Sequence, residues 1–227
     1  MKVRAPNGQT LSVEGNPLPF NGRWAYIAWL FGQGGAQRFN ITPAGSAELI
    51  SKELGDWQRL KIREASWNGG RIVSMEDPEH AGTTMVWVGP HNEISSYVGG
   101  VGVPLEVFMD MLSKFAIDDA VEGLTLLPLA GSGLEHGRLL ATNVIDQLCS
   151  VQIRPIAEAA ETLPRSQGKQ VRGGSMWRLD DRDDQGTLLT RTAYVVNDTT
   201  ATSVITYQPD DPKFISVAGS LTCSLSN

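Results

Sequence analysis

The chain reads LKIREASWNGGRIVSME over residues 60–76 and TMVWVGPHNEISSYV over residues 84–98. In the first stretch Asn68-Gly69-Gly70 separates two strand-like runs, and Asn and Gly accept the positive φ of a tight hairpin turn. In the second stretch residues 89–93 separate two runs rich in β-branched and aromatic side chains. The two stretches therefore predict two successive β-hairpins, giving four antiparallel strands in sequence order.

An amphipathic helix is predicted directly after these hairpins, over residues 104–116. Pro104 suits the start of a helix, and Leu105, Phe108, Leu112 and Phe115 follow with the three- and four-residue spacing of one helix face. We expect this apolar face to lie on the sheet. Burial of these side chains would make the helix a principal stabilising element of the fold.

Residues 24–31 read WAYIAWLF and are apolar in every direction. Such a segment must be buried against the rest of the domain or against another chain, and its aromatic content favours a strand. Large rigid aromatic side chains provide much of the contact energy at interfaces and pockets. The residues predicted to contact a ligand or partner are Trp24, Tyr26, Trp29 and Phe31, with core packing as the competing interpretation.

The remaining sequence gives weaker indications. Thr42-Pro43 predicts the start of a helix, because the threonine can cap the first turn and proline is favoured at the first helical position. Residues 139–163 have a helix-favouring composition interrupted by Pro155, so we expect two short segments or a strand and a helix there. Residues 164–175 predict a loop or linker, and residues 176–207 predict a meander of three strands. A final strand is expected at residues 221–225.

Together these patterns predict an α+β fold, with a mainly antiparallel β-sheet of hairpins and meanders and two to four helices packed on one face. We expect a single domain over residues 1–227. The loop at residues 164–175 is the place where it would divide, into residues 1–163 and 176–227. Two similar halves are conceivable, but no residue repeat aligns.

Composition narrows the class of protein. Among 227 residues, 19 Lys and Arg stand against 25 Asp and Glu, a formal net charge of −6, which makes nucleic acid an unlikely partner. The longest apolar run falls far short of the roughly 20 residues of a membrane-spanning helix, so no membrane partner is predicted. We expect a soluble cytoplasmic protein, although a removed export signal would leave no trace. Cys149 and Cys223 are expected to be buried reduced thiols.

Residues 181–186 imitate the start of a calcium-binding loop, in which alternating oxygen ligands surround one cation near a glycine. The twelfth position of such a loop would be Thr192 rather than the required glutamate. We therefore interpret the segment as a solvated hairpin turn, with Arg178 and Arg182 offsetting its charge, and predict no metal site.

Glycines at positions 99, 100 and 102 precede the predicted helix and could offer backbone N–H groups to an anion. A flexible connection is the simpler interpretation, since neither a dinucleotide nor a phosphate-loop pattern is present. Ser132 lacks the spacing of a nucleophile elbow. The histidines are interpreted as surface loop residues, namely His80, His91 and His136.

No motif predicts catalysis or a cofactor, and no family resemblance assigns roles to residues. The leading interpretation is a non-catalytic binding or assembly module that contacts a partner protein, or its own copies, through strand edges and aromatic surface. A structural component of a larger particle is a variant of it. The alternative is a small-molecule-binding protein or enzyme, with an apolar pocket between a curved sheet and the helix at residues 104–116. Such a pocket would be lined by Trp67, Trp87 or Trp177.

Overall fold

The computed structural model describes residues 1–15, 20, 22–32, 35–46, 60–77, 82–145, 148–159, 161, 163–164, 166–206, 208, 211 and 213–227. The fold is mostly β, with 61% strand and 11% helix. The predicted α+β class, with two to four helices packed on one face, is wrong. Residues 139–163 illustrate the reason. Their described part contains strand at 139–145 and 149–155 and only a four-residue helix, Ile156–Ala159, because cross-strand pairing and burial outweigh local helix propensity.

The strands in chain order are β1 (Lys2–Arg4), β2 (Thr10–Glu14), β3 (Ala25–Gly32), β4 (Gly35–Pro43), β5 (Lys61–Trp67), β6 (Gly70–Asp77), β7 (Gly82–Val88), β8 (Asn92–Gly99), β9 (Phe115–Ala120), β10 (Gly123–Pro128), β11 (Glu135–Ile145), β12 (Cys149–Pro155), β13 (Lys169–Val171), β14 (Gly174–Arg182), β15 (Leu188–Val196), β16 (Thr200–Thr206) and β17 (Thr222–Ser226).

The helices of the described residues are α1 (Leu105–Leu112), α2 (Ile156–Ala159) and α3 (Lys213–Ser220). Crossing a bilayer takes about 20 apolar residues in one helix, and no helix in the described part of the chain meets that requirement.

The chain divides into two compact units. The central unit comprises Arg4–Gly8 and Ala25–Leu139, and the terminal unit comprises Met1–Val3, Gln9–Trp24 and Leu140–Asn227. Residues 164–175, the predicted point of division, lie within the terminal unit, where they include β13 and the start of β14. The single-domain organisation stays a prediction.

The central unit contains the two predicted hairpins, with its sheet strands in the order β3-β4-β8-β7-β6-β5. The first hairpin is confirmed: Asn68 and Gly69 have φ of 46° and 74° and connect β5 to β6. The second hairpin is also confirmed, but its connection is residues 89–91, because Asn92 and Glu93 already belong to β8. All neighbouring pairs of these hairpins are antiparallel.

Helix α1 lies on one face of this sheet, as predicted. Phe108 and Leu112 are fully buried, and the helix packs against β5 and β6. The helix ends at Leu112, earlier than the pattern indicates, and Phe115 begins β9. The Phe115 ring meets Phe39 of β4 edge-to-face, with 5.9 Å between the ring centroids. Aromatic and aliphatic packing therefore fills this part of the core.

The aromatic segment at residues 24–31 is a strand, as its composition favours, but within this chain only one of its faces is buried. Tyr26, Ala28 and Leu30 of β3 point into the core, at 3%, 0% and 1% exposure. Phe31 is 38% exposed. The alternation of a strand places successive side chains on opposite faces, even when all of them are apolar.

The predicted helix start at Thr42-Pro43 is wrong, since both residues belong to β4 and pair with Glu93 and Asn92 of β8. Most of that predicted helix, residues 47–55, lies outside the described residues.

The terminal unit has its sheet strands in the order β13-β14-β15-β16-β12-β11. The predicted meander is confirmed as β14, β15 and β16, which pair antiparallel in sequence. Helix α3 packs on β15 with Phe214 and Ala218 fully buried. The predicted final strand is β17, which pairs with β2.

The two units share one topology. In each unit the sheet order is first, second, sixth, fifth, fourth and third strand, and a helix and a further strand follow the sixth. The connections also match: residues 68–69 and 172–173 join the third strand to the fourth, and residues 89–91 and 197–199 join the fifth to the sixth. The structure thus repeats one arrangement, although no residue repeat aligns in the sequence.

Candidate protein-binding surface

Strands β4 and β8 of the central unit pair along only part of their length. The pairing runs from Pro43 and Asn92 to Asn40 and Ser95, and then stops. Both strands continue beyond this point, β4 back to Gly35 and β8 on to Gly99. Between them lies a recess of about 460 Å³, lined by Ala36, Gln37, Arg38, Asn40 and Tyr97. We call this recess the β4–β8 cleft.

Side chains bridge the two strands at the inner end of the cleft. The Ser96 hydroxyl donates to the backbone carbonyl of Arg38 at 2.8 Å, and the Gln37 side-chain amide donates to the Ser96 hydroxyl. Ser96 is 1% exposed. The Ser96 side chain therefore donates to the Arg38 carbonyl, which would accept a backbone N–H of β8 in a regular ladder.

The side chains on the solvent face of the cleft form one row across three strands. Trp29 of β3 is paired with Arg38 of β4, and the Arg38 guanidinium carbon lies 5.8 Å from the centroid of the Trp29 ring. Tyr97 of β8 lines the same cleft and is 62% exposed. This spacing is within the range of a cation–π contact. We call Trp29, Phe31, Arg38 and Tyr97 the aromatic row.

The structure separates the four residues predicted to contact a ligand or partner. Trp29 and Phe31 belong to the aromatic row, on the solvent face of β3. Trp24 and Tyr26 are 4% and 3% exposed. Burial raises the pKa of Tyr26, and neither its hydroxyl nor the Trp24 indole N–H has a hydrogen-bond partner among the described residues. A contact role for each of the four stays a prediction.

Arg38 and Tyr97 are members of the surface that sequence reasoning missed. In the segment GAQRFNI at residues 35–41, the polar residues Arg38 and Asn40 alternate with the apolar residues Phe39 and Ile41. That alternation is a strand signal, with Arg38 and Asn40 on the polar face. The glycines before it and the apparent helix start after it obscured the pattern.

A second, smaller recess lies where the end of the β3–β4 hairpin approaches α1 and β9. Its volume is about 200 Å³, and it is lined by Leu30, Gly32, Gly35, Ala36, Gln37, Phe39, Met111, Lys114, Phe115 and Leu134. This is the region where the alternative interpretation expects an apolar pocket. Ligand pockets usually hold about 300–1,000 Å³, so the recess suits only a small fragment.

Trp87, expected to line that apolar pocket, is packed in the core at 2% exposure. Its indole N–H donates to the backbone carbonyl of Trp67 at 3.2 Å. The bond links β7 to the end of β5 and satisfies the one polar atom of the side chain.

The glycines at positions 99, 100 and 102 are held by the protein itself. The Gly102 N–H donates to a carboxylate oxygen of Glu76 at 2.7 Å, and the Thr83 hydroxyl donates to the Gly100 carbonyl at 2.9 Å. The Arg63 guanidinium donates to the Val103 carbonyl at 2.6 Å. The Gly102 N–H that could have met an external anion is therefore already bound to an internal carboxylate.

The aspartate-rich hairpin of the terminal unit surrounds one carboxylate with guanidinium groups. Arg191 binds Asp180 through two nitrogens at 2.9 and 3.3 Å, and Arg178 and Arg182 lie 3.4 and 3.7 Å from it. The hydrogen bond from Arg191 is the main cause that lowers the pKa of Asp180. The arginines thus offset charge here, as the turn interpretation expects.

Asp183, the central residue of the supposed calcium loop, uses one carboxylate oxygen to accept the N–H groups of Gln185 and Thr187 at 2.9 and 2.7 Å. Such bonds stabilise a turn. Within the part of the chain that the structure describes, no group of three or more histidine, cysteine, aspartate or glutamate side chains could hold a metal ion.

The other residues singled out by their chemistry have structural contacts. His136 Nε2 donates to the Leu126 carbonyl at 2.8 Å, and the Ser132 hydroxyl accepts the Leu134 N–H at 3.3 Å. The His91 N–H donates to Asp119 at 2.9 Å, and His80 lies outside the described residues.

Comparison with known proteins gives no further guidance: no family model matches the chain, and neither a curated protein nor a solved structure matches it significantly.

Proposed function

We propose that this chain is a non-catalytic protein-binding module whose contact surface is the aromatic row. The observation that carries the proposal is the alignment of Trp29, Arg38 and Tyr97 on the solvent face of three strands, with Tyr97 62% exposed. Tyr, Trp and Arg are the residue types most enriched among the side chains that dominate binding energy at protein interfaces. Their clustering here supports an interface.

The geometry also favours binding because the long Arg38 side chain already has a contact within the surface. Arg38 rests on the Trp29 ring, so less side-chain freedom is lost when a partner binds. Trp29 and Phe31 belong to a strand whose opposite face is buried in the core, which gives the surface a rigid support.

Arg38 gives the surface a preference in charge. Among the residues that the structure describes, no carboxylate forms an ion pair with its guanidinium group. A partner that presents a carboxylate would supply the planar, two-oxygen acceptor that a guanidinium binds best. We therefore expect the partner to bring an acidic side chain to the aromatic row.

Site-specific photocrosslinking tests this function. A photoreactive phenylalanine analogue is placed at position 31 of the full chain. A control chain carries it at position 189 instead, because Leu189 is 51% exposed and belongs to the terminal unit. Both chains are irradiated in extract of the source cells. The expected result is one discrete protein adduct at position 31 that position 189 does not give.

The adduct must then depend on the aromatic row. We expect Arg38→Glu and Tyr97→Asp to abolish it, and the purified partner to bind the wild-type chain at least tenfold more tightly than either variant by calorimetry. If the crosslinked protein is a second copy of this chain, the same surface mediates self-association. Adducts that are equally diverse at both positions, or that persist in both variants, would contradict the proposal.

A further inference from the structure

The cleft beside the aromatic row has the features of an open strand edge within a sheet. Strand order places β4 and β8 side by side, yet their pairing ends at Asn40 and Ser95 while both strands continue. Residues 36 and 38 of β4 and residues 97 and 99 of β8 are all exposed. An edge with free N–H and C=O groups is a ready template for another strand.

The direction of the backbone groups can be read from two hydrogen bonds. The Ala44 N–H donates to the His91 carbonyl at 3.0 Å, and the Arg38 carbonyl accepts the Ser96 hydroxyl. The His91 carbonyl of the bond to Ala44 therefore points toward β4, and the Arg38 carbonyl points toward β8. Backbone groups of every second residue in a strand point the same way, so those of Ala36 and Arg38 face the cleft from β4 and those of Tyr97 face it from β8.

Most of these groups are available for pairing. Apart from the Arg38 carbonyl, which Ser96 occupies, the cleft-facing N–H and C=O groups of Ala36, Arg38 and Tyr97 form no hydrogen bond with the described residues across the gap. Positions 36, 38 and 97 are exposed. An added peptide backbone could therefore pair with the Arg38 N–H and with both backbone groups of Ala36.

We infer that the β4–β8 cleft receives an extended peptide segment of the partner, which pairs with the backbone of Ala36 and with the Arg38 N–H and directs a carboxylate side chain at the Arg38 guanidinium. The inference rests on the proposed function and specifies its partner. Strand addition draws affinity from backbone hydrogen bonds, and specificity from the side chains that alternate along the added strand. The aromatic row, on the solvent face of the cleft, is where those alternating side chains would lie.

Size and charge agree with a short acidic strand. The recess of about 460 Å³ lies within the range of about 300–1,000 Å³ for binding pockets. The middle of a helix would offer no unpaired backbone groups to the cleft, because its N–H and C=O groups are already bonded to each other. A carboxylate opposite Arg38 would add a charge-assisted hydrogen bond to the strand pairing.

Hydrogen exchange on the free full-length chain tests the premise. The N–H groups of Ala36 and Tyr97 are expected to exchange as rapidly as exposed amides, whereas that of Gln37, which points toward β3, exchanges slowly. Protection of Ala36 and Tyr97 in the free chain would overturn the inference.

A peptide probe tests the binding mode. A phage library of random heptapeptides is panned against the full chain and depleted on the Arg38→Glu/Tyr97→Asp double variant. We expect recovered sequences to carry a glutamate or aspartate among β-branched residues. The best peptide should protect the N–H groups of Ala36 and Arg38, and N-methylation of its cleft-facing residues should weaken binding at least tenfold, whereas N-methylation of the alternate residues changes it less than threefold.

Matched variants separate this inference from the proposed function. Arg38→Ala, and glutamine in place of the peptide acid, should each weaken peptide binding about tenfold and should not do so additively, while Leu189→Asp leaves it unchanged. Failure to recover any peptide, or equal binding of all N-methylated peptides, overturns strand pairing. Neither result would contradict a crosslinked partner whose adduct depends on Arg38 and Tyr97. In that case the proposed function would hold without strand pairing.

Discussion

The hydroxyl of Ser96 donates a hydrogen bond to the backbone carbonyl oxygen of Arg38, with 2.8 Å between the two oxygens. In a continuous ladder this carbonyl would accept the backbone N–H of Tyr97, because both residues lie two positions beyond the last pair, Asn40 and Ser95. A buried side chain thus satisfies the carbonyl where the strands part. The cleft is therefore an internally bonded feature of the sheet rather than a frayed strand end.

Replacing Ser96 by alanine is expected to lower the free energy of unfolding by about 1–3 kcal/mol, since it removes two hydrogen bonds of about 0.5–1.5 kcal/mol each, one to the Arg38 carbonyl and one from the Gln37 amide. Urea unfolding measures the change. Ser113→Ala is the matched control: that hydroxyl also donates to a backbone carbonyl, of Asp110 at 2.8 Å, but it is exposed. Its loss should change stability by less than about 0.5 kcal/mol. Equal changes in the two variants would mean that the cleft does not depend on the Ser96 bond.

Substitution of Leu112 in helix α1 should lower the stability of the chain, whereas substitution of Asp110 should not. Leu112 is fully buried, so Leu112→Ala is expected to cost about 2–5 kcal/mol of stability through lost packing and the cavity left behind. Leu112→Asp should prevent folding. Asp110 is exposed, and Asp110→Ala should shift the urea midpoint very little. A large effect at Asp110 would show that the helix presents a different face to the sheet.

The first hairpin turn requires a residue that tolerates a left-handed backbone at position 68. Asn68 has φ of 46°, a conformation that costs an ordinary L-residue about 1–2 kcal/mol. Asn68→Val should therefore destabilise the chain by about that amount, and Asn68→Gly should be close to neutral. Thermal and urea unfolding of both variants provide the measurement. Comparable losses for valine and glycine would point to a side-chain contact of Asn68 rather than to its backbone.

The parts of the fold that the sequence predicted are those decided locally. Asn68 and Gly69 specify a turn by their own backbone preferences, and Phe108 and Leu112 mark one helix face by their spacing. The strand at residues 24–31 is predicted correctly, but the sequence does not show which of its faces stays open within this chain, because an all-apolar segment contains no alternation.

The cleft could not be predicted because it depends on non-local register. Nothing in the residues near Arg38 or Tyr97 states that their strands become neighbours, or that pairing stops at Asn40. Thr42-Pro43 has the chemistry of a helix start, yet pairing with β8 holds it in a strand. Local propensity is a weak determinant when a tertiary ladder competes with it.

Neither cysteine should react in the folded chain. Cys149 and Cys223 are free thiols at 0% and 2% exposure, and burial raises the pKa of each to about 11. At pH 8 only about one thiol in a thousand would be ionised, and the thiolate is the reactive form. A thiol-specific chromogenic reagent should therefore label neither residue at pH 8, and both after unfolding in urea. Rapid labelling of one thiol without denaturant would reveal local opening at that strand.

Stability should fall as the solution becomes more acidic through the titration of His136. Burial lowers the pKa of its imidazole, and the hydrogen bond to the Leu126 carbonyl only partly opposes this. The neutral ring already makes that bond through its Nε2 proton, so protonation adds charge without adding a partner there.

The direction of this pH dependence follows from the difference in proton binding between the folded and unfolded chains. In the unfolded chain His136 titrates near its ordinary value of 6.5, above its pKa in the folded chain, so the unfolded state binds more protons between the two values. The contribution of His136 to stability is complete above pH 6.5, declines as the pH falls toward the folded pKa, and then becomes constant. His136→Gln keeps a side-chain donor but cannot titrate. Urea unfolding at pH 7.5, 6.5, 5.5 and 5.0 should show a smaller loss of stability in this variant than in the wild-type chain, and identical pH profiles would place the acid sensitivity elsewhere.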